Sequence, residues 1–466
     1  MEKLSGMDAS FLYLESRSQL MHINGLIIVD PDVDGERQYE FAALRRNLAD
    51  AVKSLPEFRR RLRDSFLNLD HPVWVEDRRF DIDRHLHRIA VPSPGGDAEV
   101  AELCGHLTGQ SLDRDKPLWE MWVIEGLKDG KVAVLIRMHH CTVDGVTGAN
   151  LIARLCSLST EMNEPDAEMM KKNAGNAPLL QLVADGALTA ARRPFRYARV
   201  VPEIVGIPFK WVNRALNGQS MPLPFTAPRT SLNGALTPHR SVGFGQADLA
   251  DVKKVKNAFG VTVNDVVLAM CSGALRAYLD KRGELPDRSL ISIVPIAVSP
   301  EDSLSVGTNR VTGMFTSLAT DIEDPIERLY AIRDSTDASK EHMGDWSAGL
   351  PQMVAQFMQS SVISAGLRFY TSLGLADRQP VMHNLLISNV PGPNFPMYFL
   401  GSRIEGMYPM GPIFEGAGLN ITVVSVNDKI DIGLIACADM VPDLRPISSG
   451  MLDALEELVT LAEGKV

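Results

Sequence analysis

The run Val132-Ala133-Val134-Leu135-Ile136 constrains this chain more than any other stretch. Five apolar residues in succession read as a buried strand. Directly after it comes Arg137-Met138-His139-His140-Cys141-Thr142-Val143-Asp144-Gly145, and Val146 to Cys156 then has helical spacing. The two histidines therefore stand where a strand ends and a helix begins. Such a junction exposes a reactive side chain on a rigid support.

The elements around this junction suggest a mixed architecture. Strands are predicted at His22 to Asp30, Pro72 to Asp77, Trp119 to Gly126 and Lys131 to Met138. The last two are joined by Leu127-Lys128-Asp129-Gly130, a hairpin signal that makes them antiparallel neighbours. A short helical turn with buried aromatics is predicted before residue 16. Helical periodicity runs from Phe41 to Leu55 before Pro56, and again to about Gln110 from a cap at Asp97. A second series predicts strands at 240–246, 289–298, 310–319, 383–390, 418–427 and 430–438. Its helices are predicted at 249–259, 264–282, 324–341, 352–372 and 447–463. Without strict βαβ alternation, this pattern suggests α/β sandwiches rather than one doubly wound sheet. A length of 466 residues favours two domains.

Between the two series, Glu161 to Asn176 is polar, and Pro178 to Leu216 is helical in tendency but interrupted by Pro194, Pro202 and Pro208. The stretch carries Arg192, Arg193, Arg196, Arg199, Lys210 and Arg214 against Asp185 and Glu203, six minus two, a local excess of four positive charges. It reads either as a linker packing helices on both domains or as a surface resting on anionic lipid. The predicted organisation is an N-terminal domain at 1–165, a partly helical basic linker at 166–235 and a C-terminal domain at 236–466.

Composition removes several function classes. The net charge of −11 argues against a nucleic-acid binder. Cys104, Cys141, Cys156, Cys271 and Cys437 are widely spaced with no CxxC, which fits reduced thiols better than disulfides or zinc. The opening Met1-Glu2-Lys3-Leu4-Ser5-Gly6 does not read as a signal peptide. No apolar run reaches the ~18 residues of a spanning helix, so membrane contact is expected to be peripheral. There is no GxSxG elbow, phosphate-binding Walker loop or GxGxxG.

Acyl transfer to an alcohol needs a base, because a neutral hydroxyl is a weak nucleophile. A histidine near its ordinary pKa of about 6.5 can take that proton and return it to a leaving thiolate. Asp144 is available to orient the turn, and Gly145 permits an unusual backbone angle there. Three other readings stay open: a structural histidine, a metal site built from His139, His140 and Asp144, and Cys141 as nucleophile.

His139-His140-Cys141-Thr142-Val143-Asp144-Gly145 matches the HHxxxDG signature of CoA-dependent acyltransferases of the chloramphenicol acetyltransferase type and of peptide-synthetase condensation domains. Other segments narrow the resemblance to bacterial wax ester synthase/diacylglycerol acyltransferases. They are Leu4-Ser5-Gly6-Met7-Asp8-Ala9-Ser10-Phe11-Leu12, Pro117-Leu118-Trp119-Glu120, Thr226 to Asn233, and Asn264-Asp265-Val266-Val267-Leu268-Ala269. Gly307 to Val311, Ser388 to Pro393 and Val441-Pro442-Asp443 follow in the family's order, so the resemblance spans nearly the whole chain.

The resemblance implies an α/β (α+β sandwich) fold of two chloramphenicol acetyltransferase-like domains joined by a helical linker, with the active site in a tunnel between them. It implies acyl-CoA as co-substrate, with no cofactor and no metal. Diacylglycerol or a long-chain alcohol is the implied acceptor. His140 is then the general base, His139 supports it, and Asp144 is structural. Asn264, Asp265 and Gly145 are the expected substrate-side residues, with a helix N-cap as the other account of Asn264. The implied setting is cytoplasmic, peripherally associated with a membrane or lipid droplet. An acyltransferase using another acceptor and a non-catalytic lipid-droplet protein of the same fold are the alternatives.

Overall fold

The structure is a computed structural model describing residues 2–33, 36–37, 39–64, 70–142, 155–157, 222–297, 311–344, 366, 369–371 and 373–465. Asp144, Gly145, most of the basic linker and most of the helix expected at 352–372 lie outside the described residues. So does the helical spacing from Val146, except at its end, where Cys156 begins a two-residue strand.

The first half runs β1 (Glu2–Lys3), α1 (Gly6–Leu14), β2 (His22–Asp30), β3 (Asp32–Val33), β4 (Glu36–Arg37), α2 (Phe41–Lys53), β5 (Arg60–Arg63), β6 (Val73–Glu76), β7 (Leu86–Ala90), α3 (Asp97–Thr108), β8 (Trp119–Glu125), β9 (Val132–His139) and β10 (Cys156–Ser157). The second runs β11 (Arg240–Asp248), α4 (Leu249–Phe259), α5 (Val263–Lys281), β12 (Ile291–Ala297), β13 (Val311–Ser317), α6 (Pro325–Gly344), β14 (Leu385–Pro391), β15 (Tyr398–Phe399), β16 (Ser402–Met410), β17 (Leu419–Val426), β18 (Lys429–Cys437) and α7 (Arg445–Glu463).

Every residue of β9 is buried, the apolar run and also Arg137 and His139. The expected hairpin with β8 forms, pairing Trp119 with Met138, and Gly130 takes the left-handed conformation (φ 73°) that closes the turn. On its other edge β9 pairs antiparallel with β2, setting His22 opposite His139. Among the described residues the first large sheet has the order β10-β15-β16-β2-β9-β8-β7, and the second has β11-β18-β17-β14-β12-β13.

The first sheet draws strands from both sides of the predicted domain boundary. Residues 236–466 do not form a separate sandwich, because β15 and β16 leave the second half and join the N-terminal sheet beside β2. Local patterning hid β16, since Gly406 and Pro409 weaken a strand signal and Gly406 follows a break in its pairing register. The crossing needs a near approach of β16 to β18. A Cβ on Gly433 would overlap the Pro409 carbonyl, so no larger residue fits there.

Apolar packing fuses the halves. Leu26, Leu135 and Leu107 from the first share one buried cluster with Val242, Tyr408 and Ile435 from the second. A separate core holds α5 and α7 against β17 and β18 through Val267, Leu275, Met451, Leu455, Ile421 and Ile432. Asp97 is the first residue of α3 rather than its cap. Gly96 caps it, donating its N–H to the Glu99 carboxylate at 2.8 Å. Among the described residues no single helix is long and apolar enough to cross a membrane.

Candidate active site

Three backbone hydrogen bonds hold the chain as it leaves β9. The His139 N–H donates to the Leu118 carbonyl at 3.0 Å, and the His140 N–H to the Met21 carbonyl at 2.8 Å. The Thr142 N–H then donates to the His139 carbonyl at 2.9 Å, tightening the turn. Both neighbours of β9 thus fix the histidine pair. Leu118 belongs to the Pro117-Leu118-Trp119 segment, whose role here is structural. The Trp119 indole donates to the Phe58 carbonyl at 2.8 Å and stacks on His85 at 4.6 Å.

Alternation along the strand sends the two imidazoles different ways. His139 is 1% exposed and faces the interior, whereas His140 keeps some exposed surface as a residue while its ring Nδ1 is buried. The His140 ring lies on Phe11, with centroids 3.9 Å apart and planes 14° apart. Phe11 sits on α1, which Ser5 caps by accepting the Asp8 N–H at 3.1 Å. Leu4, Ala9, Leu12 and Tyr13 of this segment pack with Leu118 and Cys141. The N-terminal segment therefore forms the wall behind the histidine loop.

Burial pushes the His140 imidazole down to about 4, partly opposed by a hydrogen bond to its own backbone, with His139 adding to the fall. At neutral pH the ring is unprotonated and able to accept a proton. Burial raises the Cys141 thiol well above its ordinary value, which removes the thiolate a nucleophile needs. Among the described residues no group of three or more His, Cys, Asp or Glu is placed to hold a metal ion.

His139 has its own partners. The Cys141 N–H donates to its Nδ1 at 3.1 Å, and its Nε2 lies 3.5 Å from Glu15 Oε1. His22 Nε2 lies 3.2 Å from the same oxygen. Arg114 binds the other carboxylate oxygen and reaches the Leu12 carbonyl at 3.2 Å. Burial alone would raise the Glu15 carboxyl. The approach of the His139 and His22 imidazoles outweighs it and holds Glu15 well below the usual carboxylate range. Burial lowers His22 to about 4. Phe11, Glu15, His22 and Arg114 carry no local sequence signal of this role. They meet only because α1 and β2 close over the end of β9.

The Asn264-Asp265 pair is divided. Thr262, not Asn264, is the N-cap of α5. Asp265 is fully buried and accepts from the Thr262 N–H at 2.9 Å, the Thr262 hydroxyl at 2.7 Å and the Thr336 hydroxyl at 2.9 Å. Both its oxygens accept hydrogen bonds, so Asp265 ties the start of α5 to α6. Asn264 lies beside it in the first turn, half-buried. A cleft of 1160 Å³ opens between the halves near Lys131, at the far end of β9 from His140, lined by Lys128, Phe244, Tyr408 and Arg445. Eight strand residues put it roughly 25 Å from the histidines.

The wax ester synthase/diacylglycerol acyltransferase catalytic domain matches residues 4–267, and the corresponding C-terminal domain matches residues 307–459. The chain belongs to the wax ester synthase/diacylglycerol acyltransferase family. A Mycobacterium tuberculosis protein named as a diacylglycerol O-acyltransferase is 42% identical over 464 residues, covering 99% of this chain and 91% of that protein. A Mycobacterium bovis protein of the same name is 34% identical, covering 98% and 99%. The solved wax ester synthase/diacylglycerol acyltransferase from Marinobacter aquaeolei is 29% identical with a TM-score of 0.69, covering 99% of this chain and 100% of that one. The first condensation domain of the calcium-dependent antibiotic synthetase shares the fold at 16% identity and a TM-score of 0.56, covering 99% and 96%. The α/β fold of this wax ester synthase/diacylglycerol acyltransferase is thus shared with that condensation domain, and the matched catalytic domain spans α1 and the histidine pair.

Proposed function

We propose that this acyltransferase moves a long-chain acyl group from acyl-CoA to the free hydroxyl of diacylglycerol, and also to long-chain alcohols. One observation carries the reading. His140 is fixed by backbone bonds at a strand end, with its ring stacked on Phe11, in a chain matched along its length by proteins named as diacylglycerol O-acyltransferases.

His140 takes the hydroxyl proton as the oxygen attacks the thioester carbonyl. The tetrahedral adduct collapses as its C–S bond breaks, and the imidazolium returns its proton to the CoA thiolate. Ester and free CoA are the products, and His140 ends as it began. Positioned proton transfer of this kind contributes about 10²–10⁴-fold. Holding both substrates against the imidazole removes a further entropic barrier.

Substrates this insoluble favour work at a membrane or lipid-droplet surface. The exposed side chains of Phe225, Phe369 and Leu373 support that reading. Flotation with anionic and neutral vesicles tests it, and failure to float with either sinks it.

Palmitoyl-CoA supplied with diacylglycerol or hexadecanol, with His140→Ala beside the wild type, tests the chemistry. Triacylglycerol or wax ester from the wild type alone is the expected result. A variant near wild-type turnover removes His140 as base. A folded wild type that makes neither ester points to another acceptor or a non-catalytic role.

A further inference from the structure

His139 has almost no open surface, yet it is joined to the reacting residue through the backbone. The peptide whose N–H it accepts, that of Cys141, directly follows His140. Fixing the plane of that peptide fixes one of the two soft dihedrals that aim the His140 ring. For Nδ1 to accept, the proton of the neutral imidazole must sit on Nε2. Nε2 faces Oε1 of Glu15, and His22 approaches the same oxygen from β2. Arg114 holds the other oxygen from the outside and is half exposed, while Glu15 is 9% exposed. Glu15 also follows α1 directly, the helix whose Phe11 supports His140.

We propose that Glu15 is a positioning residue for acyl transfer. It holds His139 as the Nε2–H tautomer, so that Nδ1 clamps the Cys141 peptide and aims His140. Replacing the carboxylate frees His139 to move its proton to Nδ1, and the Cys141 N–H then faces a donor instead of an acceptor. A buried ion pair by itself is weak evidence of a stabilising role. Here the inward oxygen meets the two histidines and the outward oxygen meets the arginine, an arrangement that orients an imidazole. The assignment rests on His140 being the base.

The test is Glu15→Gln, which keeps shape and removes charge. Expected is a kcat lower by roughly 10–100-fold, the scale of a small misplacement of a reacting group. KM for palmitoyl-CoA and for diacylglycerol stays unchanged, and thermal melting changes little. Nitrogen-15 spectra of histidine-labelled protein are expected to show the His139 Nε2–H tautomer in the wild type and its loss in the variant. His139→Asn offers an amide oxygen near the Nδ1 position and does not need Glu15, so Glu15→Gln in that background is expected to cause no further loss. If Glu15→Gln proves insoluble, Arg114→Gln at the exposed rim is read instead, with a smaller fall in kcat expected. Unchanged kcat in these variants, or losses that multiply in the double variant, overturns the positioning role. Wild-type turnover in His140→Ala overturns the base assignment separately, whatever Glu15 does.

Discussion

Phe11 lies flat against His140, ring on ring, at a centroid separation of 3.9 Å. The contact joins the N-terminal helix to the end of β9 across 129 residues and covers one face of the imidazole. Phe11→Ala removes that support. Expected is a stability loss of about 1–3 kcal/mol, below the range for a fully buried phenylalanine because Phe11 is only partly buried. A fall in kcat larger than any rise in KM accompanies it. Chemical denaturation with steady-state kinetics checks both, and unchanged kcat denies the ring a role in holding His140.

The acid side of the rate profile follows from burial. His140 titrates near 4 in the folded chain, against about 6.5 for a free imidazole. Activity is expected to hold as pH falls through 6.5 and to drop only as it approaches 4. The kcat/KM profile, taken with fluorescence to follow folding, decides this. A fall centred near 6.5 in folded protein rules out the low value.

Stability should respond in the window above that. Burial lowers His22, His140 and His383 to about 4 each, so between about 6.5 and 4 the unfolded chain binds protons that the folded one does not. Folding is therefore favoured above about 6.5 and weakens as pH falls toward 4. Glu15, held low by its histidine partners, adds a loss in the same direction below the ordinary carboxylate range, where the unfolded chain protonates it and the folded chain does not. Thermal melts from pH 8 to 4.5 are expected to be flat at first and then to decline. A melting temperature that rises on acidification contradicts the burial of these rings.

Asp265→Ala should act on folding rather than chemistry. It strips the α5 N-cap of its reciprocal partner and leaves the buried Thr336 hydroxyl without its carboxylate, a loss of about 1–3 kcal/mol. Thr262→Ala is expected to cost about 1 kcal/mol. The folded fraction of either should retain most of its kcat. A stable but inactive Asp265→Ala variant returns this residue to the substrate side.

Cys141→Ala should remain active, because the thiol is buried in an apolar cluster and its ionisation is suppressed. All five cysteines are free and buried, so a thiol reagent added to the native protein should leave turnover intact. Rapid inactivation traced to Cys141 by mass spectrometry runs against this.

Local patterning located most of the elements. The helix expected at 249–259 occupies Leu249–Phe259, and that expected at 264–282 occupies Val263–Lys281. The strands expected in the second half fall within two residues of β11, β12, β13, β14, β17 and β18. Period and capping are properties of neighbouring residues, so they survive without tertiary context. The same holds for the strand end that carries His139 and His140, where an apolar run interrupted by Arg137 leads into two imidazoles.

What the chain's order alone determined is which residues alternate, which repeat every turn, and where a reactive pair meets a strand end. The tertiary structure decided what those residues touch. It took β16 into the other half's sheet, laid Phe11 on His140, and brought Glu15, His22 and Arg114 around His139. Each is a contact between segments far apart in the chain, set by closure of the whole core, and no local period encodes such a meeting.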